Sequence, residues 1–290
     1  MKVLYCFPGG RFKALTMSYD DGNVADRRLV SIFNRYGIKG TFNLNYGLMK
    51  EGIQERVGIE EIKELYQGHE VATHTAYHPT IGRCPLTYVA EEIKTDREGL
   101  EELTGYVVRG HAYPNDSFSK EIQDLFRAMG IAYGRVGIVY GRKGPREPDF
   151  ALPTNPMEWR PTCHHKDPSL MEYGQYLIDF KASQYLKLMY VYGHSYEFDR
   201  ANNWHVIEDF CRLMSGKKDI WYATNIEIID YMEVLNRLQF TAKCDGVYNP
   251  SAASAWICVG APRLTAGKGK IIEIKGGCFT SFKEEEGAVD

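Results

Sequence analysis

The feature that most constrains this chain is the alternation of strand-like and helical segments between residues 14 and 235. Short buried-strand patterns are predicted at 14–19, 40–44, 70–73, 106–109, 131–135, 187–192 and 220–222. Segments with helical spacing are predicted at 25–36, 59–66, 87–103, 117–129, 170–183, 204–214 and 224–235. Such alternation predicts a parallel sheet with crossover helices, either a barrel or a doubly wound sheet.

The pattern changes after residue 237. Residues 238–290 contain short β-like runs separated by turns with Gly, Pro and Asn. We therefore expect a main α/β domain at 1–237 and a small β-sheet appendage at 238–290 that packs on it. Residues 141–168 show weak periodicity and predict a long ordered loop, which in a compact domain usually serves function.

Composition excludes several classes of protein. The net charge is −3 over 290 residues, so bulk charge predicts neither nucleic-acid nor membrane-surface binding. No apolar run of about 18 residues occurs, so we expect no transmembrane helix. Seven cysteines without a CxxC pair argue against a disulfide framework and favour a reducing compartment. The N-terminal apolar run is too short for a signal peptide, so we expect a cytoplasmic protein.

Polar side chains follow four of the predicted strands, at the point where each strand ends. These side chains are Asp20 and Asp21, then His74 and His78, then His111, then His194 with Glu197. Because the carboxyl ends of parallel strands meet at one edge of a sheet, we expect them to form a single site.

Two histidines four residues apart, placed in one helical turn, lie on one face and can bind a cation together. With one carboxylate they leave coordination positions open, which is typical of a catalytic site, where a zinc-bound water is acidified to a pKa of roughly 7. Each pattern alone has an ordinary explanation: a turn for Asp-Asp-Gly, surface or core residues for the histidine pair, and a hydrogen-bonded buried residue for His194. Their combination indicates a metal-dependent enzyme.

Three segments resemble, in order, the motifs of the polysaccharide deacetylase family (carbohydrate esterase family 4). Residues 16–22 are similar to its T-F-D-D-G motif, residues 74–78 to its H-[ST]-x-x-H motif, and residues 190–194 to its last motif, a strand ending in His. The resemblance extends over residues 12–235. It implies an α/β fold: a distorted, TIM-barrel-like (β/α) barrel of about seven parallel strands, here at 1–237.

The resemblance also implies roles for the motif residues. Asp21, His74 and His78 would bind one divalent metal ion, with zinc expected first and cobalt, nickel or manganese as alternatives. Asp20 would be the general base, and His194 the general acid that protonates the leaving amine or alcohol. Water activated by the metal would attack an acyl carbonyl, usually the N-acetyl group of an amino sugar.

The chain departs from the family pattern in its third and fourth motifs. The family has an Arg that contacts the base, and Ala112 falls where that Arg would be; we consider Arg109, three residues earlier, as its substitute. Tyr113 would supply a backbone contact to the oxyanion. In the region of the fourth motif, Trp159, His165 and Asp167 have two interpretations. They pack within an ordinary loop, or the loop covers the site, with Trp159 and His165 as substrate contacts and His165 or Asp167 steadying His194. Glu197 would orient the substrate or a neighbouring group, and His111 would line the cleft.

These observations leave three hypotheses. The first is a hydrolase of carbon-nitrogen (amide) bonds other than peptide bonds, acting on an acylated amino sugar. The second is a hydrolase of a small non-sugar amide on the same fold, and the third is a metal-retaining binding protein with little turnover. An open groove suits a glycan, whereas a pocket capped by residues 141–168 or by the appendage suits a small molecule. No nucleic-acid or membrane partner is expected, and the oligomeric state stays open.

Overall fold

The computed structural model describes residues 3–53, 55–137, 149–182, 184–260 and 269–282. The strands are β1 (Val3–Cys6), β2 (Lys13–Asp20), β3 (Gly40–Leu44), β4 (Glu70–Thr73), β5 (Gly110–Ala112), β6 (Tyr133–Arg135), β7 (Cys163–His164), β8 (Lys187–Gly193), β9 (Ile220–Tyr222), β10 (Gln239–Phe240), β11 (Gly246–Tyr248), β12 (Ala255–Val259), β13 (Lys270–Ile274) and β14 (Phe279–Ser281). The helices are α1 (Asp26–Tyr36), α2 (Tyr46–Lys50), α3 (Ile62–Leu65), α4 (Leu86–Thr104), α5 (Lys120–Ala128), α6 (Leu170–Asp179), α7 (Tyr196–Arg200), α8 (His205–Met214) and α9 (Asn225–Arg237).

The central sheet is parallel and curls into a distorted barrel. Its strand order is β6-β5-β4-β3-β2-β8-β7, and β9 pairs with the first residues of β2. The segment that contains β7 joins the two ends of this path. Trp159 forms a parallel bridge with Arg135 on β6, and the Thr162 amide donates to the Tyr190 carbonyl on β8. The predicted seven-strand distorted barrel is therefore confirmed.

The strand β2 lies within the sheet, between β3 and β8, and is buried along its whole length. Alternate side chains of a strand point to opposite faces. Leu15, Met17 and Tyr19 join the main apolar core, whereas Thr16 and Ser18 bond to polar groups on other elements. The same alternation places Asp20 with these polar residues, at the carboxyl end of the strand.

Helices pack outside the sheet much as the sequence predicts. In α1 the apolar residues Leu29, Ile32 and Phe33 are buried in the main core. The helix ends at Gly37, whose φ of 64° is the left-handed conformation that glycine adopts at low cost. The long helix α4 ends in the same way at Gly105. Within the described ranges, no helix combines the length and apolar character needed to cross a membrane.

Two small antiparallel sheets complete the structure. One has the order β1-β12-β13 and the other the order β10-β11-β14. The C-terminal strands thus pair with β1 from the N-terminus, with Val3 opposite Val259, and the boundary at residue 237 stays a prediction. The first sheet packs with α9 and with Ala14 and Leu188, which stand at the starts of β2 and β8. It therefore lies at the amino-terminal end of the barrel, so it cannot cap a site at the carboxyl end.

The predicted long loop at 141–168 is only partly a loop. Its first residues, 141–148, lie outside the described residues. The remainder contains a short 3₁₀ turn at Pro156–Glu158 and the strand β7, which fills the gap between β6 and β8. This part closes the barrel, and the prediction of one continuous loop is wrong because a two-residue strand gives too little periodicity to detect.

Candidate active site

Three predicted metal ligands converge at the carboxyl end of the barrel. Asp21 follows β2, while His74 and His78 follow β4. The Asp21 Oδ1 atom lies 3.9 Å from His74 Nε2 and 3.8 Å from His78 Nε2. One ligand atom from each of these residues lies within 4.8 Å of the others. We call these residues the Asp-His-His group.

The turn that presents the two histidines is not helical, contrary to the sequence prediction. Thr75 and His78 have φ values of 63° and 58°, in the left-handed region that side chains seldom adopt. The His78 amide donates to Thr75 Oγ1, which holds the turn. The histidines therefore converge through an irregular turn, with ring centroids 4.8 Å apart.

The first of these histidines is prepared to act as a neutral ligand. Burial lowers the pKa of His74 to about 4, so its imidazole is uncharged at neutral pH. Its Nδ1 atom donates to the Ala112 carbonyl at 2.8 Å, which leaves the Nε2 lone pair on the side of Asp21.

The Asp-His-His group fits a divalent metal ion. The Asp21 Oδ1 atom is buried and has no hydrogen-bond partner among the described residues. A buried carboxylate oxygen in this state is costly unless a cation or donor satisfies it. Two imidazoles and one carboxylate are a donor set that zinc accepts with coordination positions left open.

Asp20 stands beside this group in an ion pair that the sequence did not reveal. The Arg135 guanidinium on β6 donates to both carboxylate oxygens of Asp20, and Asn43 Nδ2 donates to Asp20 Oδ1 at 2.8 Å. Burial alone would raise the pKa of Asp20. The positive charge of Arg135 and the hydrogen bond to it outweigh that effect and hold the pKa of Asp20 well below its usual value.

The position of Arg135 corrects the prediction for Arg109. The Arg109 guanidinium instead binds Asp230 of α9, with Nη2 2.6 Å from Oδ2. In the pairing of β5 with β6, Ala112 is the direct partner of Arg135. The charge expected at Ala112 is thus supplied by the neighbouring strand. Arg135 also ends a strand that the sequence predicts, so the rule applied to the other strand ends could have found it.

His194 lies between two carboxylates. Its Nε2 atom is 3.9 Å from Asp20 Oδ2, and its Nδ1 atom is 3.6 Å from Glu197 Oε2, which is longer than a hydrogen bond. Burial alone would lower the pKa of His194. The effect of burial is smaller than the opposite effect of the carboxylates Glu197, Asp20 and Asp21, so the pKa of His194 is raised above its ordinary value. His194 is therefore suited to carry a proton at neutral pH.

Around Glu197 the structure assembles a second polar group. Its Oε2 atom lies 3.3 Å from His164 Nε2 and 3.1 Å from His165 Nε2, and Lys166 Nζ lies 2.5 Å from Oε1. We call Glu197 and its neighbours His164, His165, Lys166 and His194 the Glu197 cluster. His164 Nδ1 accepts from the Lys166 amide at 3.1 Å, so a neutral His164 carries its proton on Nε2, facing Glu197. Ion pairs hold this cluster together, although neither ring nitrogen of His165 has a hydrogen-bond partner among the described residues. His164, His165 and Glu197 also offer ligand atoms within 4.8 Å of one another, as the Asp-His-His group does.

Four predicted substrate contacts are buried instead. His111, Tyr113, Trp159 and His165 are each at most 2% exposed. Trp159 packs on Tyr133 and Tyr190 inside the barrel, and the His165 ring stacks on Phe198. These side chains present no surface to a substrate, and the predictions of direct contact are corrected on that ground.

The backbone contact predicted for Tyr113 is also corrected. Its amide donates to the Arg135 carbonyl at 3.0 Å, so it is not free to bind an oxyanion. The Tyr113 hydroxyl donates to the Met157 carbonyl at 3.0 Å. Tyr113 therefore ties β5 to the segment beyond β6.

Two further residues at the site were missed by sequence reasoning. Arg56 Nη2 lies 3.7 Å from Asp21 Oδ1, and the Tyr196 ring centroid lies 5.1 Å from that of His194. Tyr196 lies two positions after His194 and could have been found from its place in the chain. Arg56 belongs to a loop without any motif, so the sequence offered no signal for it.

Comparisons with known proteins agree with this architecture. Among solved structures, a Mycobacterium smegmatis protein described as a candidate polysaccharide deacetylase is 16% identical, with a TM-score of 0.57 over 79% of this chain and 93% of that one. A family 4 carbohydrate esterase from Streptomyces lividans, solved in complex with acetate, is 12% identical, with a TM-score of 0.50 over 73% of this chain and 92% of that one. Similarity at these identities shows the fold alone.

At the level of sequence the matches are shorter. An uncharacterised protein of Bacillus subtilis (strain 168), YlxY, is 26% identical over 105 residues, which are 36% of this chain and 31% of that protein. The chain therefore spans about a third of the length of this curated relative. The family model described as polysaccharide deacetylase matches residues 8–134. That segment contains Asp20, Asp21, His74 and His78, and the resemblance to the polysaccharide deacetylase family that these residues predicted is confirmed.

Proposed function

We propose that this protein is a metal-dependent hydrolase that removes an acyl group, with N-acetyl as the first candidate, from an amino sugar or a related carbohydrate. The observation that carries the proposal is the unbonded Asp21 Oδ1 between two histidines, next to a charged Asp20 and a protonatable His194. The family match and the fold of the structural relatives support the same class of reaction.

A divalent ion held by Asp21, His74 and His78 would polarise the acyl carbonyl and acidify water. Zinc is the first choice for this donor set, with cobalt, nickel and manganese as alternatives. Asp20 would accept the proton of the attacking water, because its low pKa keeps it ionised. Arg135 and Asn43 fix the orientation of that carboxylate.

His194 would supply the proton that the leaving nitrogen needs when the carbon-nitrogen bond breaks. Glu197, Asp20 and Asp21 raise the pKa of His194, which favours its protonated form. The two groups therefore have pKa values shifted in opposite directions, as acid and base must have. The products are a free amine and a carboxylate, so water is consumed and no other reactant is required.

The test is acetate release from N-acetylglucosamine oligomers by metal-stripped protein, before and after zinc or cobalt is added back. We expect activity that returns with the metal and falls by about 10²–10⁴-fold in Asp20→Asn and His194→Ala. His205→Ala is the matched control, because this histidine is exposed on α8.

Two results would contradict the proposal. Folded protein that binds no metal would remove its basis. One bound metal per chain with no acetate from sugar substrates would redirect the search to small non-sugar amides, or to a binding protein that does not turn over.

A further inference from the structure

We propose that Arg56 is an anion-binding residue at the edge of the Asp-His-His group, and that the substrate carries a carboxylate or phosphate close to its acyl group. The identity of the ligand as a substrate rests on the proposed function. The binding of an oxyanion at Arg56 rests only on the metal site of that proposal and does not require turnover.

Backbone hydrogen bonds fix Arg56 against the turn that presents Asp21. The Val24 amide donates to the Glu55 carbonyl at 2.8 Å, and the Val57 amide donates to the Gly22 carbonyl at 2.9 Å. Between these two bonds, Arg56 forms an antiparallel bridge with Asn23. The segment around Arg56 is therefore hydrogen-bonded to residues 22–24, directly after Asp21, which places the Arg56 side chain at the site.

The Arg56 guanidinium has N–H donors that make no hydrogen bond within the described residues. Its nearest charged partner is Asp21, at 3.7 Å between Nη2 and Oδ1, which is too long for a hydrogen bond. Its Nε atom is buried and has no partner within the part of the chain that the structure describes. The side chain is 16% exposed, so bulk water reaches it only in part. A guanidinium presents five N–H donors, and burying them unbonded is unfavourable.

Other arginines of the chain show what a satisfied guanidinium looks like. Arg27 donates to both oxygens of Glu61. Arg109 donates to Asp230. The ion-pair partner that the described residues place within 4 Å of Arg56 is Asp21, and the Asp-His-His group needs that carboxylate as a ligand.

The charge balance of the site also favours an anion. Asp20 is neutralised by Arg135, and Glu197 by Lys166 and its neighbouring histidines. The remaining acidic groups are Asp21 and the buried Asp26, which interacts electrostatically with Asp21 and Arg56. Even if both are ionised, their two negative charges face three positive charges, those of Arg56 and a divalent ion. The site would then hold an excess of positive charge in a partly buried setting, which attracts an anionic group.

The shape of the guanidinium selects the chemistry of its ligand. Its planar fork matches the two oxygens of a carboxylate or of a phosphate, and such charge-assisted bonds are stronger than neutral ones. The two sources share an oxyanion. They differ in charge and geometry, so matched ligands can separate them.

The experiment measures equilibrium binding to zinc-loaded protein by calorimetry, without reliance on turnover. The ligands are N-acetylglucosamine, N-acetylmuramic acid, which adds one carboxylate, and N-acetylglucosamine 6-phosphate. We expect at least one of the two anionic sugars to bind about tenfold more tightly than the neutral sugar. The tighter of the two identifies the source of the oxyanion.

The variants are Arg56→Met, which removes the charge, and Arg56→Lys, which keeps it without the fork. Arg56→Met should abolish the preference for the anionic sugar, and Arg56→Lys should retain part of it. Arg27→Met is the matched control, because it removes an equal charge from an exposed ion pair nearby on α1 and should leave the preference intact.

Equal binding of all three sugars by the wild type would overturn the proposal, and so would a preference that survives in Arg56→Met. If Arg56→Met does not fold, competition by inorganic phosphate on the wild type decides: phosphate should displace the anionic sugar at concentrations that leave the neutral sugar bound. A failure of the proposed hydrolase would appear separately, as selective binding without acetate release.

Discussion

The Asp-His-His group and the trio of Glu197, His164 and His165 within the Glu197 cluster each contain two histidines and one carboxylate, yet the surroundings of the two carboxylates differ. In the first, Asp21 Oδ1 has no hydrogen bond to any residue that the structure describes, and the Nε2 atoms of His74 and His78 lie within 4 Å of it. In the second, Glu197 is surrounded by His164, His165, Lys166 and His194.

The difference shows that residue types alone do not define a metal site. A ligand must offer a lone pair that no proton occupies. His74 directs its proton to the Ala112 carbonyl and keeps Nε2 open. His164 uses Nδ1 to accept an amide and so carries its proton on Nε2. We therefore expect one metal ion per chain, in the Asp-His-His group.

The largest effect should come from Arg135→Met, which strips a buried carboxylate of its charge partner. Arg135 and Asp20 are both nearly inaccessible to solvent. Breaking such a pair from one side typically costs about 3–5 kcal/mol, because the remaining charge stays buried. Urea denaturation should show this loss in the free energy of unfolding. Arg109→Met, which breaks a half-exposed pair, should cost at most about 1 kcal/mol, and equal losses in the two variants would contradict our account.

The comparison between the two groups is tested most directly by metal affinity. His74→Ala should weaken zinc binding by on the order of 100-fold or more, because it removes a ligand and not merely a supporting contact. His164→Asn should leave both the affinity and the stoichiometry of one ion per chain unchanged. Competition with a zinc chelator measures both, and a second bound ion that disappears in His164→Asn would show that the Glu197 cluster also binds metal.

A smaller effect is expected in the pH profile of Glu197→Gln. Glu197 is one of the carboxylates that raise the pKa of His194. A general acid works while it is protonated, so the rate is retained below this pKa and falls above it. Removing the charge of Glu197 lowers the pKa, and the alkaline limb of kcat should move to lower pH. A limb that stays in place would mean that Glu197 does not act on His194.

The smallest effect should be that of Lys166→Ala. Lys166 is half-exposed and pairs with Glu197, so its removal leaves more of the negative charge of Glu197 to act on His194. The alkaline limb should then move slightly to higher pH, opposite to Glu197→Gln. Lys120→Ala, which breaks an exposed pair with Asp124 on α5, is the control and should leave the profile unchanged. A shift in the same direction as Glu197→Gln would contradict this assignment.

Much of the fold follows from local sequence patterns. Helical spacing predicted α1 at 25–36 and α4 at 87–103, each within one residue of the structure at both ends. The rule that strand ends gather brought Asp20, Asp21, His74, His78 and His194 together correctly in space. Their chemical roles stay predictions.

The incorrect predictions share a physical cause: local periodicity does not indicate which distant segments of the chain pair with each other. Nothing near Val3 shows that β1 pairs with β12 across the chain. Trp159 was expected at the site because it lies in the region of the family's fourth motif, and His111 because it follows a predicted strand. A barrel encloses such side chains as well, and the local pattern is the same in both places.

The register of β5 against β6 has a consequence for how such chains are compared. Ala112 and Arg135 are 23 positions apart in the sequence and adjacent in the sheet. An alignment that finds Ala112 in place of the family's arginine indicates a lost function. In the sheet, however, an arginine is present on the neighbouring strand, directly beside that position. Substitutions in a barrel are therefore best compared by strand and by position along the strand, because a charged residue can occur on the neighbouring strand at the same level of the barrel. A search for active relatives should accept an arginine at the position of either Ala112 or Arg135.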